Sequence, residues 1–277
     1  MFASTALGRR IEQAEARLSA SLARAVISGD QAAQAFVHEI AGGVAVYTGP
    51  SSPMNKMIGV GFDGAASDEE LRAVEDKFRG RAAPLQAEVA TLADPTFVAQ
   101  LTRRGYILQN FENVLGRPIV AADADTEGGR QIVIDAMQDH EHAAWMDAAY
   151  TAFAHPDGVG VPGDALPPRE AFEAAMGPFM TAEGFRRYVA RVGNDLAGVA
   201  TFRIDDGVAQ LCGAATLPAF RRRGVQAALL RHRLAEGFKA DCDLAVMTTQ
   251  PGSTSQQNGY RQGFALLYTR AVLVRDP

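Results

Sequence analysis

The spacing of apolar residues divides the chain into alternating helical and extended stretches. Ile11, Ala14, Leu18 and Leu22 recur at helical intervals with charges between them, which predicts an amphipathic helix over 7–27 ending near Ser28-Gly29-Asp30. Phe36 to Ile40 and Gly43 to Thr48 flank a Gly-Gly turn, and Met57 to Phe62 follows a Pro/Ser loop, so this region reads as a three-strand meander. A helix over 69–79, a strand over 85–91, a helix over 95–104 and a strand pair over 106–117 follow. Residues 118–129 (PIVAADADTEGG) are acidic and Gly-rich, the pattern of a linker.

Beyond that stretch the order repeats. A strand over 132–137, a helix over 140–154, a Gly/Pro-rich loop over 155–168 and a helix over 169–180 precede three strands at 185–192, 196–203 and 208–217. The turn dipeptides Asn194-Asp195 and Asp206-Gly207 separate these strands. Ala227, Leu230, Leu234 and Phe238 mark the next helix, and a strand over 244–249, a short helix over 254–262 and closing strands over 264–275 complete the chain. Sliding the sequence by 158 positions lays 87–117 on 245–275 with nine of 31 residues identical, among them Thr91/Thr249, Gly105/Gly263, Leu115/Leu273 and Arg117/Arg275. The expectation is an internal duplication, with a domain over 1–120, a linker over 121–129 and a second domain over 130–277.

The 277 residues accommodate one long domain or two short ones, and the 47% hydrophobic and 21% charged fractions are those of a globular protein. A formal net charge of -5 argues against a general nucleic-acid or anionic-membrane surface, so any phosphate site has to be local. Cys212 and Cys242 follow neither metal-ligand nor disulfide-framework spacing. Charges interrupt the N-terminal stretch, and no segment approaches the ~20 apolar residues of a membrane span. A cytoplasmic setting is expected.

The most informative stretch is LCGAATLPAFRRRGVQAALL, 211–230, in which a strand ends at Pro218 and three arginines and a glycine open an amphipathic helix. The first-turn N-H groups of a helix have no intrahelical partners, and with the helix dipole they favour a phosphate. Cations are unfavourable there, so Arg221, Arg222 and Arg223 grouped at a helix start point to a bound anion, and Gly224 lets the backbone approach it closely. Applying the 158-residue shift places Asp63 to Asp68 opposite Arg221 to Gln226, with Glu69 and Glu70 following; acid replaces base, and the first half is expected to hold no cofactor. His140 and His142 stand two apart, which does not place them on one helix face, and no metal is expected. Trp145, Tyr150, Phe153 and His155 read either as packing or as shaping a substrate.

The run Arg221-Arg222-Arg223-Gly224-Val225-Gln226, with AATLPAF before it and QNGYRQGF at 257–264, resembles the Q/R-x-x-G-x-G/A signature and its surroundings in the GNAT acyltransferase superfamily; Gln226 stands where Gly or Ala is usual. The resemblance covers about 130–277, and more weakly the first half. It implies an α/β (α+β) protein of two tandem GNAT-like units, each a mixed, mainly antiparallel sheet flanked by helices, the first one degenerate. It further implies an enzyme, an acyl-CoA-dependent N-acetyltransferase using acetyl-CoA as acyl donor and a small-molecule or peptide amine as acceptor. The alternative is a non-catalytic acyl-CoA sensor or assembly module. Pantetheine is expected on the backbone at Ala215 and Leu217 and pyrophosphate on Arg222, Arg223, Gly224, Val225 and Gln226. The loop at 155–168 is expected to overhang the acceptor. The family's proton-donating Tyr would fall at Gly259, leaving Tyr260 as a shifted candidate acid. Asn258 and Ser255 are polar candidates for the pantetheine or the leaving sulfur, and Asn258 stands beside Tyr260 as a catalytic candidate. Cys212 reads as a small buried apolar residue.

Overall fold

Ser4 caps the first helix, α1 (Thr5–Ile27), by accepting a hydrogen bond from the Leu7 amide at 3.1 Å, and the stripe Ile11, Ala14, Leu18 and Leu22 is buried as its periodicity requires. The computed structural model describes residues 2–28, 35–50, 52–124, 131–159 and 166–277. Gly29 and Asp30, most of the 121–129 linker and the centre of the 155–168 loop lie outside the described residues. The chain folds as two compact units. The first gathers 2–114, 174–183 and 267–277, and the second 115–173 and 184–266.

In the first unit the strands are β1 (Phe36–Ile40), β2 (Gly43–Tyr47), β3 (Lys56–Ile58), β4 (Leu85–Ala90) and β5 (Ile107–Pro118, through Val114), with the helices α2 (Asp68–Arg79) and α3 (Pro95–Arg103). β1, β2 and β3 form the expected antiparallel meander, and β3 pairs with β4 in parallel. The chain's last strand, β11 (Ala265–Arg275), completes this sheet through its residues from 267 on, lying antiparallel to β4 and between it and β5. Tyr47, Leu71, Phe78, Phe97 and Leu101 fill a core beneath it.

The second unit contains β6 (Ile132–Ala136), α4 (His142–Ala154), β7 (Phe185–Val192), β8 (Asp195–Asp205), β9 (Val208–Thr216), α6 (Val225–Lys239), β10 (Leu244–Thr249) and α7 (Thr254–Arg261). α5 (Arg169–Thr181) begins in it. The sheet order is β10-β9-β8-β7-β6, antiparallel except for the parallel pair β9/β10. Tyr188, Phe202, Leu229, Leu230 and Leu234 centre its core.

Four local expectations change. The strand expected over 57–62 stops at Ile58, because Gly59 and Gly61 take φ of +77° and +97°. The pair expected over 106–117 is one strand, β5, and the closing strands are one strand, β11. Polar residues in the middle of β5 are not a turn: Asn113 accepts a hydrogen bond from the Thr269 hydroxyl at 2.9 Å, and Glu112 lies 3.6 Å from the Arg270 guanidinium. Helix α4 starts at His142, after a short 3-10 turn over Asp139–Glu141.

The duplication is visible in three dimensions. β5 and β11 begin 158 residues apart, α3 and α7 fall in register within a residue, and Gly105 and Gly263 share a left-handed backbone, with φ of +87° and +79°.

Candidate functional site

The sheet of the second unit splits. β9 and β10 pair only from Val208/Leu244 to Gln210/Val246, after which β9 runs on to Thr216 and β10 to Thr249 as separate arms. A β-bulge between Thr201 and Arg203 disturbs the β8/β9 ladder at the same level. Arg233, on α6 and 1% exposed, donates to the carbonyls of Thr201 (3.1 Å) and Gly213 (3.0 Å) and so satisfies acceptors around the bulge. Burial lowers its pKa to about 10, which leaves it charged at neutral pH. Gly198 lets α6 approach: a Cβ there would lie 2.8 Å from the Ala215 carbonyl and 2.9 Å from Val225 Cγ1.

Backbone alternation decides which groups face the split. The Leu217 amide donates to the Ala197 carbonyl at 3.0 Å, and the Leu217 carbonyl accepts from Phe220 at 2.9 Å. In an antiparallel ladder hydrogen-bonded pairs alternate, so Ala215, opposite Val199, also turns its backbone groups to β8. Ala215 and Leu217, the residues expected to meet pantetheine, are therefore occupied by the sheet. Ala214 and Thr216 turn theirs toward the opening, and the Thr216 hydroxyl oxygen is buried without a hydrogen-bond partner.

At the end of β9 a 3-10 turn over Pro218–Phe220 leads into Arg221 in extended conformation, Arg222 at φ +59° and Gly224 at φ +86°. A left-handed residue other than glycine costs ~1 kcal/mol or more, so Arg222 stores strain in this turn. Gly224 caps α6 without any side-chain hydrogen bond, and the first turn carries no acid. The amides that open α6, from Val225 and Gln226 on, thus lack a side-chain acceptor, and a Cβ on Gly224 would meet no protein atom nearer than Ile132 Cδ1 at 3.9 Å. The fit for a phosphate rests on this open, uncapped helix start. Arg222, Arg223 and Gly224 are exposed, Val225 is buried and Gln226 half-buried. Arg223 lies over the Phe220 ring at 5.4 Å.

Arg221 is placed differently from its neighbours. Its guanidinium donates to the carbonyls of Ala152 (3.2 Å) and His155 at the end of α4 and of Thr216 (3.4 Å). Sequence reasoning missed this role, and only the run of arginines hinted that one of them had a separate partner.

On α7, Ser253 caps the helix by accepting from the Gln256 amide at 3.2 Å. Gln256, 8% exposed and also missed, accepts from the Gly252 amide at 2.6 Å and donates to the Tyr260 hydroxyl oxygen at 2.6 Å. Tyr260 itself is exposed. A Cβ on Gly259 would lie 3.0 Å from Leu115 and 3.1 Å from the Met247 sulfur, so core packing on this side of α7 explains the glycine. Asn258 is half-buried and accepts from Arg261 at 3.1 Å; Ser255 is exposed. Cys212 is half-buried, its thiol 3.5 Å from the Gln210 carbonyl.

Trp145 is buried and donates to the Tyr188 carbonyl at 3.2 Å, which makes it a packing residue. Tyr150 and Phe153 pack on Phe172 at 5.4 and 6.0 Å. Among the described residues no group of three or more His, Cys, Asp or Glu is placed to hold a metal ion, and no helix is long and apolar enough to cross a membrane.

Residues 140–264 match the model of the Acetyltransferase (GNAT) family. No curated protein matches the chain in sequence. Among solved structures, a GCN5-related N-acetyltransferase from Kribbella flavida aligns with a TM-score of 0.64 at 18% identity, covering 95% of each chain. A putative GNAT acetyltransferase from Novosphingobium aromaticivorans aligns at 0.52 with 16% identity, over 94% of this chain and 98% of its own. A tandem GNAT protein from the clavulanic acid biosynthesis pathway aligns at 0.54 with 12% identity, over 83% and 73%. At these identities the likeness is one of fold.

Proposed function

We propose that 130–277 carries an acetyl-CoA-dependent N-acetyltransferase acting on a small-molecule or peptide amine, and that 1–120 is a degenerate copy without a cofactor. The observation that carries this reading is the uncapped start of α6, held by the strained Arg222/Gly224 turn where β9 and β10 part. The amides that open α6 would bind the pyrophosphate of an acyl-CoA, with Arg222 and Arg223 adding charge. The backbone at Ala214 and Thr216 would hold the pantetheine, in place of Ala215 and Leu217.

Such a donor supplies a thioester. A neutral amine attacks its carbonyl carbon, the C-S bond breaks, the sulfur leaves as a thiolate and the nitrogen gives up its extra proton to solvent. A backbone N-H on the open edge of β9 would donate to the oxygen as it gains negative charge, a placement that requires no reorganisation during the reaction. The Tyr260 oxygen already accepts from Gln256, which leaves its own proton available to a leaving thiolate. Ser255 is exposed and Asn258 is bonded to Arg261, which supports a role for both toward pantetheine rather than the reacting carbon.

The test is release of free CoA thiol from acetyl-CoA across a panel of amines. Amine-dependent turnover above hydrolysis is expected. Saturable acetyl-CoA binding without turnover on any amine would leave the sensor reading in its place.

A further inference from the structure

We propose that Arg221 is a positioning residue that couples occupancy of the phosphate turn to the C-terminal end of α4, and so to the start of the loop that follows it. The inference rests on the acyl-CoA reading of the turn. Helix α4 has no basic residue in its last turn, and its terminal carbonyls have no intrahelical donors. Arg221, far away in sequence, supplies one of them: a single guanidinium nitrogen reaches both Ala152 and His155, and Nε reaches Thr216 on the arm of the opening. The charge also sits at the negative end of the α4 dipole, where a cation is favourable.

The backbone of Arg221 belongs to the anion-binding turn itself, one residue before the strained Arg222. An anion drawn to the helix start holds that turn in its strained form, and the same backbone fixes where the Arg221 side chain begins. Binding at α6 therefore orders the end of α4, and, because coupling between sites is reciprocal, ordering the end of α4 tightens the turn on its ligand. The structure thereby gives the donor site a means to prepare the acceptor side. Arg222 and Arg223, which are exposed, lack this connection.

Hydrogen exchange on the full chain, with and without CoA, tests the proposal. In the wild type CoA is expected to slow exchange at the start of α6 and also over 152–157, the latter by about fivefold or more. In Arg221→Ala, CoA still binds and still protects α6, but the slowing over 152–157 is lost; Arg222→Ala keeps it. Arg221→Lys keeps the charge without the fork and retains only part of the effect, which gives a reading even where the alanine variant does not fold. CoA binding to wild type with no change over 152–157, undiminished slowing in Arg221→Lys, or loss of all CoA binding in a folded Arg221→Ala would each overturn the coupling. Absence of CoA binding to the wild type would instead overturn the acyl-CoA reading on which it rests.

Discussion

A helix, three strands, a helix, a strand and a short helix recur in both halves of the chain, with β6 and α5 added in the second, and one place in that succession is built in opposite ways. In the second, α6 opens on Gly224 with no side-chain cap. In the first, α2 opens on a capping box: Ser67 accepts from the Glu70 amide at 3.2 Å while the Glu70 carboxylate accepts from the Ser67 amide at 2.8 Å. Hydrogen bonds from Ser67 hold the Glu70 carboxyl below its ordinary pKa, so the helix start carries its own anion. Asp68 accepts from Arg104 and Gln100, both at 3.1 Å, and Asp63 pairs with Arg9 at 2.6 Å. Under the 158-residue shift Lys56–Ile58 correspond to Ala214–Thr216. In the first unit those residues pair with Gln86–Glu88, the counterparts of Leu244–Val246, so the strands stay joined where β9 and β10 have parted. A 2.8 Å ion pair between Lys56 and Glu88 spans that pairing. The two places thus differ by a helix cap and six residues of strand register.

The largest effect is expected from filling the open helix start. Gly224→Val puts a β-branched side chain at φ +86° and over the amides, and should weaken acetyl-CoA binding by more than a hundredfold, as several hydrogen bonds of ~1.5–3 kcal/mol are lost together. Isothermal titration measures the loss, and circular dichroism should show the fold kept, since no protein atom crowds the position. A loss under tenfold in a folded variant would place the anion elsewhere.

A smaller effect separates the units by pH. Burial, and next the neighbouring Glu88, push the Glu112 pKa up to about 7, against the pull of Lys56 and Arg270. A carboxyl raised on folding contributes stability that is fully present below its unfolded pKa, near 4.5, and is lost as the pH rises through 7. Between pH 5 and 8 the wild type should therefore lose about 1–2 kcal/mol relative to Glu112→Gln, read as the difference between their denaturant midpoints. Parallel pH profiles would show that Glu112 is not held in this way.

The smallest is Ser67→Ala, which removes half of the capping box. It should cost about 1 kcal/mol of stability and leave acetyl-CoA affinity unchanged. A gain of a second CoA site in this variant would mean that the cap alone had kept the first unit closed.

Most of the architecture could be read from the sequence because α1, α2 and α6 bury apolar residues at helical spacing and Gly marks the hairpin turns. That β5 is one strand was not legible, because its polar residues Glu112 and Asn113 meet Arg270 and Thr269, 158 and 156 residues away. The turn at Arg221 to Gly224, which we propose takes phosphate, drew attention in the sequence because three cations at a helix start are unfavourable without an anion. The strand edge we propose for pantetheine could not be chosen from the sequence: Ala214, Ala215, Thr216 and Leu217 differ in which way the backbone faces, and that is set by pairing with β8. Nor could the role of Gln256, whose sequence neighbours give no sign that it holds the Tyr260 hydroxyl.

The central claim is that the chain has one acyl-CoA site and that it lies in the second unit. A fragment ending at residue 120 would lack β11 and with it a strand of its own sheet, so the full chain is the material to use. Titration of the intact protein with acetyl-CoA should give one site per chain, abolished by Gly224→Val. Two sites per chain, or one site that survives Gly224→Val undiminished, would contradict the account.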